Sequence, residues 1–272
     1  MSDEDALLAA IDAHPAEDTP RLMYADWLDE NDRPLRAEFI RLQLTLREPD
    51  KLAPEEAQKL RNRQRVLVEN HRRDLIGPLG AHITLPDVTF DRGFVAELRV
   101  TAFLFLQHAD AFAALRPRPR LVLRYLDAIK FEQLLRTPAA EAVTRLSLHL
   151  NERSVVLLAG CPYFSRLAEF AGEAIGETGL DALAWSKHIP ALTSLNLSGN
   201  NISDVGVGRL VASPLWPRLR HLDLSGNQLT DADVLADAPD DRLERLILND
   251  TAFSRAGRGR LKRRFGERVA VT

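Results

Sequence analysis

Three groups of side chains in this chain could do chemistry: one thiol, one cluster of carboxylates with an arginine, and a run of cations near the C-terminal end. The thiol is Cys161, the only cysteine, in the apolar stretch Leu157-Leu-Ala-Gly-Cys161-Pro162. A nucleophilic cysteine needs a setting that favours its thiolate, whereas a thiol in apolar surroundings reads as a small core residue. One cysteine also excludes an intrachain disulfide and a multi-thiolate metal site. The seven histidines are scattered, without the short paired spacings of a zinc site, and there is no phosphate-binding loop or GxSxG elbow. The second group is Asp26, Glu38 and Arg41, set among Tyr24, Trp27 and Phe39. Two carboxylates could work as an acid/base pair, but no histidine, metal-ligand cluster or glycine-rich loop accompanies them. The structural alternative is that a carboxylate and the arginine pair across adjacent helices and fix their register, which serves specificity more than stability. No catalytic residue, cofactor or metal ion is expected.

The third group reflects an uneven charge distribution. The net charge is only −3, and the 45% apolar and 28% charged fractions are ordinary for a globular protein. Yet residues 2–32 hold ten acidic side chains against Arg21, while residues 254–272 hold seven basic ones against Glu267. Arg255, Arg258, Arg260, Lys262, Arg263, Arg264 and Arg268 could bind phosphate or anionic lipid. Against that, Leu261, Phe265 and Val269 recur at i, i+4 and i+8, which predicts a capping helix with a polar outer face. Nucleic acid is therefore an alternative partner and not the expected one. The acidic start is unlike a secretory signal, and no apolar run approaches the roughly 18 residues of a membrane span. A cytoplasmic setting without a membrane, and a monomer, are the default expectations.

The elements that would position these groups are set by an internal repeat. Leu192-Thr-Ser-Leu-Asn-Leu-Ser-Gly-Asn-Asn-Ile202 and Leu219-Arg-His-Leu-Asp-Leu-Ser-Gly-Asn-Gln-Leu229 both read LxxLxLxxNxL, 27 residues apart. A third copy, Leu243 to Phe253, has Thr251 in place of the asparagine. In the LxL core, strand alternation sends the leucines inward and the residue between them outward. The asparagine stands where the chain leaves the strand and could bond the turn backbone. Helix-compatible stretches follow at 204–212 and 231–238, closed by Pro214 and Pro239. Upstream, Val143-Thr-Arg-Leu146-Ser-Leu148-His-Leu-Asn151 fits the template, and 167–183 keeps Leu167, Phe170, Ile175 and Leu180 in a shortened copy. Leu121-Val-Leu123 and Leu98-Arg-Val100 would supply the first strands, with helices at 103–115 and 129–135. Seven strands centred on Arg99, Val122, Ser147, Ala171, Asn196, Asp223 and Ile247 result, at spacings of leucine-rich-repeat size. The alternative, unrelated βα units in an ordinary parallel sheet, would not require the repeated asparagine.

Residues 1–80 lack this pattern and read as helices. Ser2 would cap a first helix through Ala13, the Thr19 hydroxyl would cap a second with Pro20 in its first turn, 35–47 carries Phe39, Leu42 and Leu46 on one stripe, and Pro54 begins a fourth helix running toward Arg73. Asp18-Thr-Pro-Arg21-Leu-Met-Tyr24-Ala-Asp26-Trp27-Leu28 and Arg36-Ala-Glu38-Phe39-Ile40-Arg41-Leu-Gln43 resemble the bacterial repeat-companion domain, a small domain found ahead of leucine-rich repeats. The Gly93-Phe94-Val95 segment and the stretch 256–269 are similar to flanking parts of such proteins. A departure is Asn31-Asp32-Arg33, where the family often carries glycine. The resemblance implies a bacterial source and brings no activity with it.

The expected architecture is an α/β solenoid, a ribonuclease-inhibitor-like leucine-rich-repeat horseshoe with strands concave and helices convex. Its expected parts are an all-helical domain at 1–80, the repeats at 81–253 and a basic capping helix at 254–272. The outward strand positions then form a candidate surface for an unknown protein partner: Arg145, His149, Glu169, Ser194, Asn196, His221, Asp223, Arg245 and Asn249, continued upstream by Glu97, Arg99, Arg120 and Arg124. This surface is mixed in charge and poor in aromatics, which suits a selective polar contact. Binding through the basic segment, or an enzyme site in the helical domain, are the alternatives.

Overall fold

The computed structural model describes residues 2–149, 151–239 and 242–271; Leu150 of the upstream repeat copy and Thr272 of the basic tail lie outside the described residues. The chain divides into two compact units, one of Met1–Val100 with Gln107–Val122 and one of Thr101–Leu106 with Leu123–Thr272.

The first unit begins with α1 (Asp3–Ala13), opened by a capping box in which Ser2 Oγ accepts from the Asp5 N–H and Asp5 accepts from the Ser2 N–H. In α2 (Thr19–Glu30) the expected Thr19 cap is not used. Thr19 is the first helical residue, Asp18 stands at the cap without a side-chain bond, and Pro20 lies in the first turn. The turn into α3 (Pro34–Leu46) places Asp32 in the left-handed region at φ 59°. The single helix expected from Pro54 to Arg73 is broken at His71 into α4 (Pro54–Asn70) and α5 (Arg72–Ile76), and Gly77 at φ 75° ends it.

This unit is not all-helical, and it does not stop at residue 80. Strands β1 (Val88–Asp91) and β2 (Phe94–Thr101) form an antiparallel hairpin across Arg92 and Gly93, both at positive φ as a tight two-residue turn requires. Phe94 enters the helical core and packs with Ile11, Tyr24, Ala25, Leu28, Ala37 and Ile40. That burial carries the compact unit beyond the expected boundary. Leu98 and Val100, read as the first strand of the series, lie in β2, which pairs antiparallel with β1 on one side and is followed in the sheet by the next strand in chain order on the other. The helix expected at 103–115 is interrupted at His108, giving α6 (Ala102–Gln107) and α7 (Ala109–Ala113), and β3 (Arg120–Arg124) follows.

The second unit alternates helix and strand: α8 (Ala128–Leu134), β4 (Arg145–Leu148), α9 (Glu152–Gly160), β5 (Glu169–Gly172), α10 (Gly176–Ala184), β6 (Ser194–Asn196), α11 (Asp204–Val211), β7 (His221–Asp223), α12 (Asp233–Ala236), β8 (Arg245–Ile247), α13 (Arg255–Phe265) and β9 (Val269–Ala270). From β4 to β9 each strand pairs in parallel with the next in chain order. Helices α9 to α13 contact one another in the same order, so each strand–helix unit stacks on its predecessor. Leu192, Leu195, Leu197 and Ile202 are buried, as are their counterparts Leu219, Leu222, Leu224 and Leu229.

The signature asparagines bond between repeats as well as within them. Asn227 Oδ1 accepts from the Asn200 and Ile202 N–H groups of the preceding copy, while its Nδ2 donates to Leu197 O and Leu224 O. Asn200 does the same one copy back, toward the Ile175 N–H and Gly172 O. The rung stops on both sides. Thr251 donates only to Leu248 O of its own copy, and Asn151 caps α9 by accepting from the Ser154 N–H. At the C-terminal end, Val269 is not on the capping helix. Gly266 at φ 58° ends α13, and Val269 and Ala270 pair with Leu246 and Ile247 as a last strand.

Candidate interaction face

The parallel register arranges the outward strand residues into rows. Arg145, Glu169, Ser194, His221 and Arg245 are successive partners from β4 to β8. Ser147, Ala171, Asn196, Asp223 and Ile247 form the next row two residues on, and between them runs the buried row Leu146, Phe170, Leu195, Leu222 and Leu246. Seven of the nine expected site residues thus fall in two adjacent lines on one side of the sheet. His149 and Asn249 lie past the strand ends. His149 Nδ1 is 3.1 Å from Glu173 Oε1, and Asn249 is a turn residue, its N–H donating to Ser225 Oγ and its carbonyl accepting from the Gly226 N–H. The Asn249 side-chain oxygen is buried, with no hydrogen-bond partner among the described residues.

Within the rows, some groups are committed and others are free to meet a ligand. Arg145 Nε donates to Glu169 Oε2 at 2.6 Å across the strand pair. Asn196 Oδ1 accepts from the Ser198 N–H and hydroxyl, and Asp223 Oδ1 from the Ser225 N–H, so both stabilise the strand exit. His221 lies 3.8 Å from Glu244, which also takes a bond from Arg220. Arg245 is exposed, and among the described residues no carboxylate pairs with it. The face therefore changes along its length, from a closed ion pair at β4 and β5 to the uncommitted guanidinium of Arg245 at β8. Ser147, Ala171 and Ile247, the centres of their strands, complete the second row beside Asn196 and Asp223 and add small or apolar side chains to it. Farther upstream, Arg99 and Arg120 each form an ion pair with Glu97 inside the first unit.

The other chemical candidates are each held by neighbouring groups. The Cys161 thiol is buried, donates to Leu135 O at 3.4 Å, and is pushed up from its ordinary pKa by that burial, which disfavours the thiolate. Asp26 is 71% exposed and not enclosed by aromatics. Arg41 of α3 holds Asp26 and Asp29 of α2, each at 2.7 Å, while Glu38 pairs instead with Arg63 of α4 in a two-bond contact. The bonds from Arg63 hold the Glu38 carboxyl below its ordinary range, the opposite of what a general acid needs. The rest of the motif forms a socket for the hairpin turn. Gln43 Oε1 accepts from the Gly93 N–H at 2.6 Å, Arg21 and Arg36 lie over the Phe94 ring, and Tyr24 stacks on it.

The basic segment also divides. Arg260 binds Asp233 and Asp237 of α12, and Arg264 and Arg268 bond the carbonyls of Ala238 and Leu243 and lie over the Phe265 ring. Arg255, Lys262 and Arg263 are exposed, with no carboxylate partner among the described residues. No helix of the described residues is long and apolar enough to cross a membrane, and they contain no group of three or more metal-ligating side chains.

Residues 190–237 match the family described as Leucine Rich repeats (2 copies). That segment contains both asparagine-bearing copies and strands β6 and β7. No curated protein matches the chain. Leucine-rich repeats are in general protein-interaction modules and are typically non-enzymatic.

Proposed function

We propose that this chain, with leucine-rich repeats at 190–237, is a non-enzymatic binding protein that holds a protein partner on the outward face of its parallel strands. The proposed partner contacts Arg145, Glu169, Ser194, His221 and Arg245 in one row and Asn196 and Asp223 in the next, with His149 and Asn249 at the rim. The observation that carries this reading is the in-register spacing of those rows on a hydrogen-bonded ladder. Side chains fixed by the sheet lose little freedom on binding, which favours selective polar recognition. A horseshoe curvature with this face concave, a bacterial cytoplasmic setting, a monomeric state and independence from any cofactor complete the proposal. So does descent from the bacterial repeat-companion proteins for the first unit.

The test is affinity capture from native lysate with quantitative mass spectrometry. His221→Ala with Arg245→Ala should reduce a specific captured protein at least about tenfold, as loss of two interfacial polar anchors predicts. Arg153→Ala with Lys187→Ala, exposed positions outside the strands, should retain it. Equal capture by all three proteins would end the strand-face proposal. A second reading rests on Arg255, Lys262 and Arg263, the uncommitted cations of the C-terminal segment. A polyanion held there would be released steeply as salt rises and lost on their replacement by glutamine.

A further inference from the structure

The first unit contains a cleft of about 450 Å³ walled by apolar side chains such as Leu8, Leu79, Val95 and Leu115 and carrying Tyr24, Arg33, Arg36 and Arg116. Two of its carboxylates, Glu4 and Asp5, are already occupied. Glu4 accepts from the Tyr24 hydroxyl and from Arg33 Nη1, both at 2.7 Å. Asp5 is tied to Ser2 in the capping box, and Asp74 lies 3.4 Å from His71 Nδ1. Two of the cations are not occupied in the same sense. Arg36 donates to the Leu75 carbonyl, and Arg116 to the carbonyls of Ala113 and Leu115. Among the described residues no carboxylate forms an ion pair with either. A guanidinium offers five donors in a planar fork, so most of that capacity is unspent.

We propose that this cleft binds a small organic anion, an oxyanion head on a short apolar body, with Arg36 and Arg116 taking the head and the apolar wall taking the body. Arg36 is the central group. It is partly buried, its Cζ lies 5.0 Å from the centre of the Phe94 ring, and burial pushes its pKa down to about 10. Glu4 is the nearest counter-charge and is already bonded to Arg33, so the partly buried Arg36 is only incompletely compensated, and an entering oxyanion offsets that cost with charge-assisted bonds. Arg33 does not compete for the ligand, because Glu4 neutralises it. Carboxylate and phosphate heads share this chemistry, and the experiment separates them.

Calorimetric titration of the full chain with hexanoate, hexyl phosphate and hexanol tests the assignment. At least one anion should saturate with a Kd on the order of 1 mM or tighter, and hexanol should not bind. The head group that binds more tightly identifies the source. Arg36→Gln should weaken that anion at least about tenfold and Arg116→Gln about threefold, as loss of charge-assisted bonds predicts. Arg63→Gln, which acts on the separate Glu38 contact, should leave binding unchanged. If Arg36→Gln does not fold, Arg116→Gln alone decides. No saturation by either anion, equal affinity for hexanol, or unaltered binding in Arg116→Gln would overturn the proposal.

Discussion

Asn227 and Asn196 show how unequal two asparagines of this chain are. Asn227 is buried and uses both ends of its amide on main-chain groups of two repeats. Asn227→Ala would strand those groups away from water, with an expected loss of about 2–4 kcal/mol in denaturant unfolding. Asn196 is exposed and bonds only within its own turn, so Asn196→Ala should cost about 0.5–1 kcal/mol. Equal losses would refute the inter-repeat role of the buried amide. Asp32 is the second single-residue case. Its φ of 59° is a left-handed conformation that glycine adopts without a steric penalty. Asp32→Gly should therefore raise stability by about 0.5–1 kcal/mol, and a lowered melting temperature would contradict it.

Elements are joined by devices that repeat along the chain. An acidic residue at the start of one helix accepts from the next repeat: Glu152 from the Thr178 N–H, Glu177 from the Ser203 N–H and hydroxyl, and Asp204 from the Thr230 N–H and hydroxyl. Burial pushes the Glu177 carboxyl up, but the Ser203 bonds and Arg209 outweigh it and hold the group below its ordinary 4.5. The stabilisation is present above the unfolded value and is lost as pH falls through the lower folded value. Unfolding at pH 7 and pH 3 should show a smaller drop in stability for Glu177→Gln than for the parent chain; equal drops would remove the carboxylate from this role. The hairpin of the first unit has its own constraint. A Cβ on Gly93 would sit 2.5 Å from the Ile40 Cα at a φ of 84°. Gly93→Ala should displace the turn from its socket and cost more than about 2 kcal/mol, measured as an earlier melt with loss of near-ultraviolet signal from the Tyr24, Trp27 and Phe94 cluster.

At the scale of the whole repeat stack, what matters is how the edge of β8 and the leucines behind it are covered. A parallel stack leaves its last strand with unpaired main-chain groups and its last leucines bare. Here β9 pairs with β8, the Leu248 N–H donates to the Ala270 carbonyl, and Leu261 and Phe265 of α13 are buried. Deleting residues 254–272 should produce early melting and association, visible as higher-order species in size-exclusion chromatography with light scattering. Replacing Arg255, Lys262 and Arg263 together with glutamine should leave the chain folded and monodisperse, because these cations touch no carboxylate among the described residues. Arg260→Gln removes its contacts with Asp233 and Asp237 and should cost up to about 1 kcal/mol, as partly exposed ion pairs do. A charge-stripped chain that aggregates like the truncated one would show that the cations support the fold.

Much of this is legible in the sequence alone, because it depends on periodicity. The LxxLxLxxNxL spacing determined which leucines are buried, that the repeats form parallel strands between helices, and which side chains project from the strands. Local chemistry also determined the Ser2 cap and the helix start at Pro54, and it set the third helix one residue late at both ends, at 35–47. Contacts between residues distant in the chain were decided only by the tertiary structure. The period says that Asn227 leaves a strand, but which carbonyls it meets depends on the neighbouring repeat being in register. Asp26 and Glu38 are alike as residues in a motif, and only the placement of α4 gives Glu38 to Arg63 and leaves Arg41 to α2. Val269 continues the helical stripe of Leu261 and Phe265 in sequence. It becomes a strand because Gly266 ends the helix and the exposed edge of β8 offers it hydrogen bonds that the period does not record.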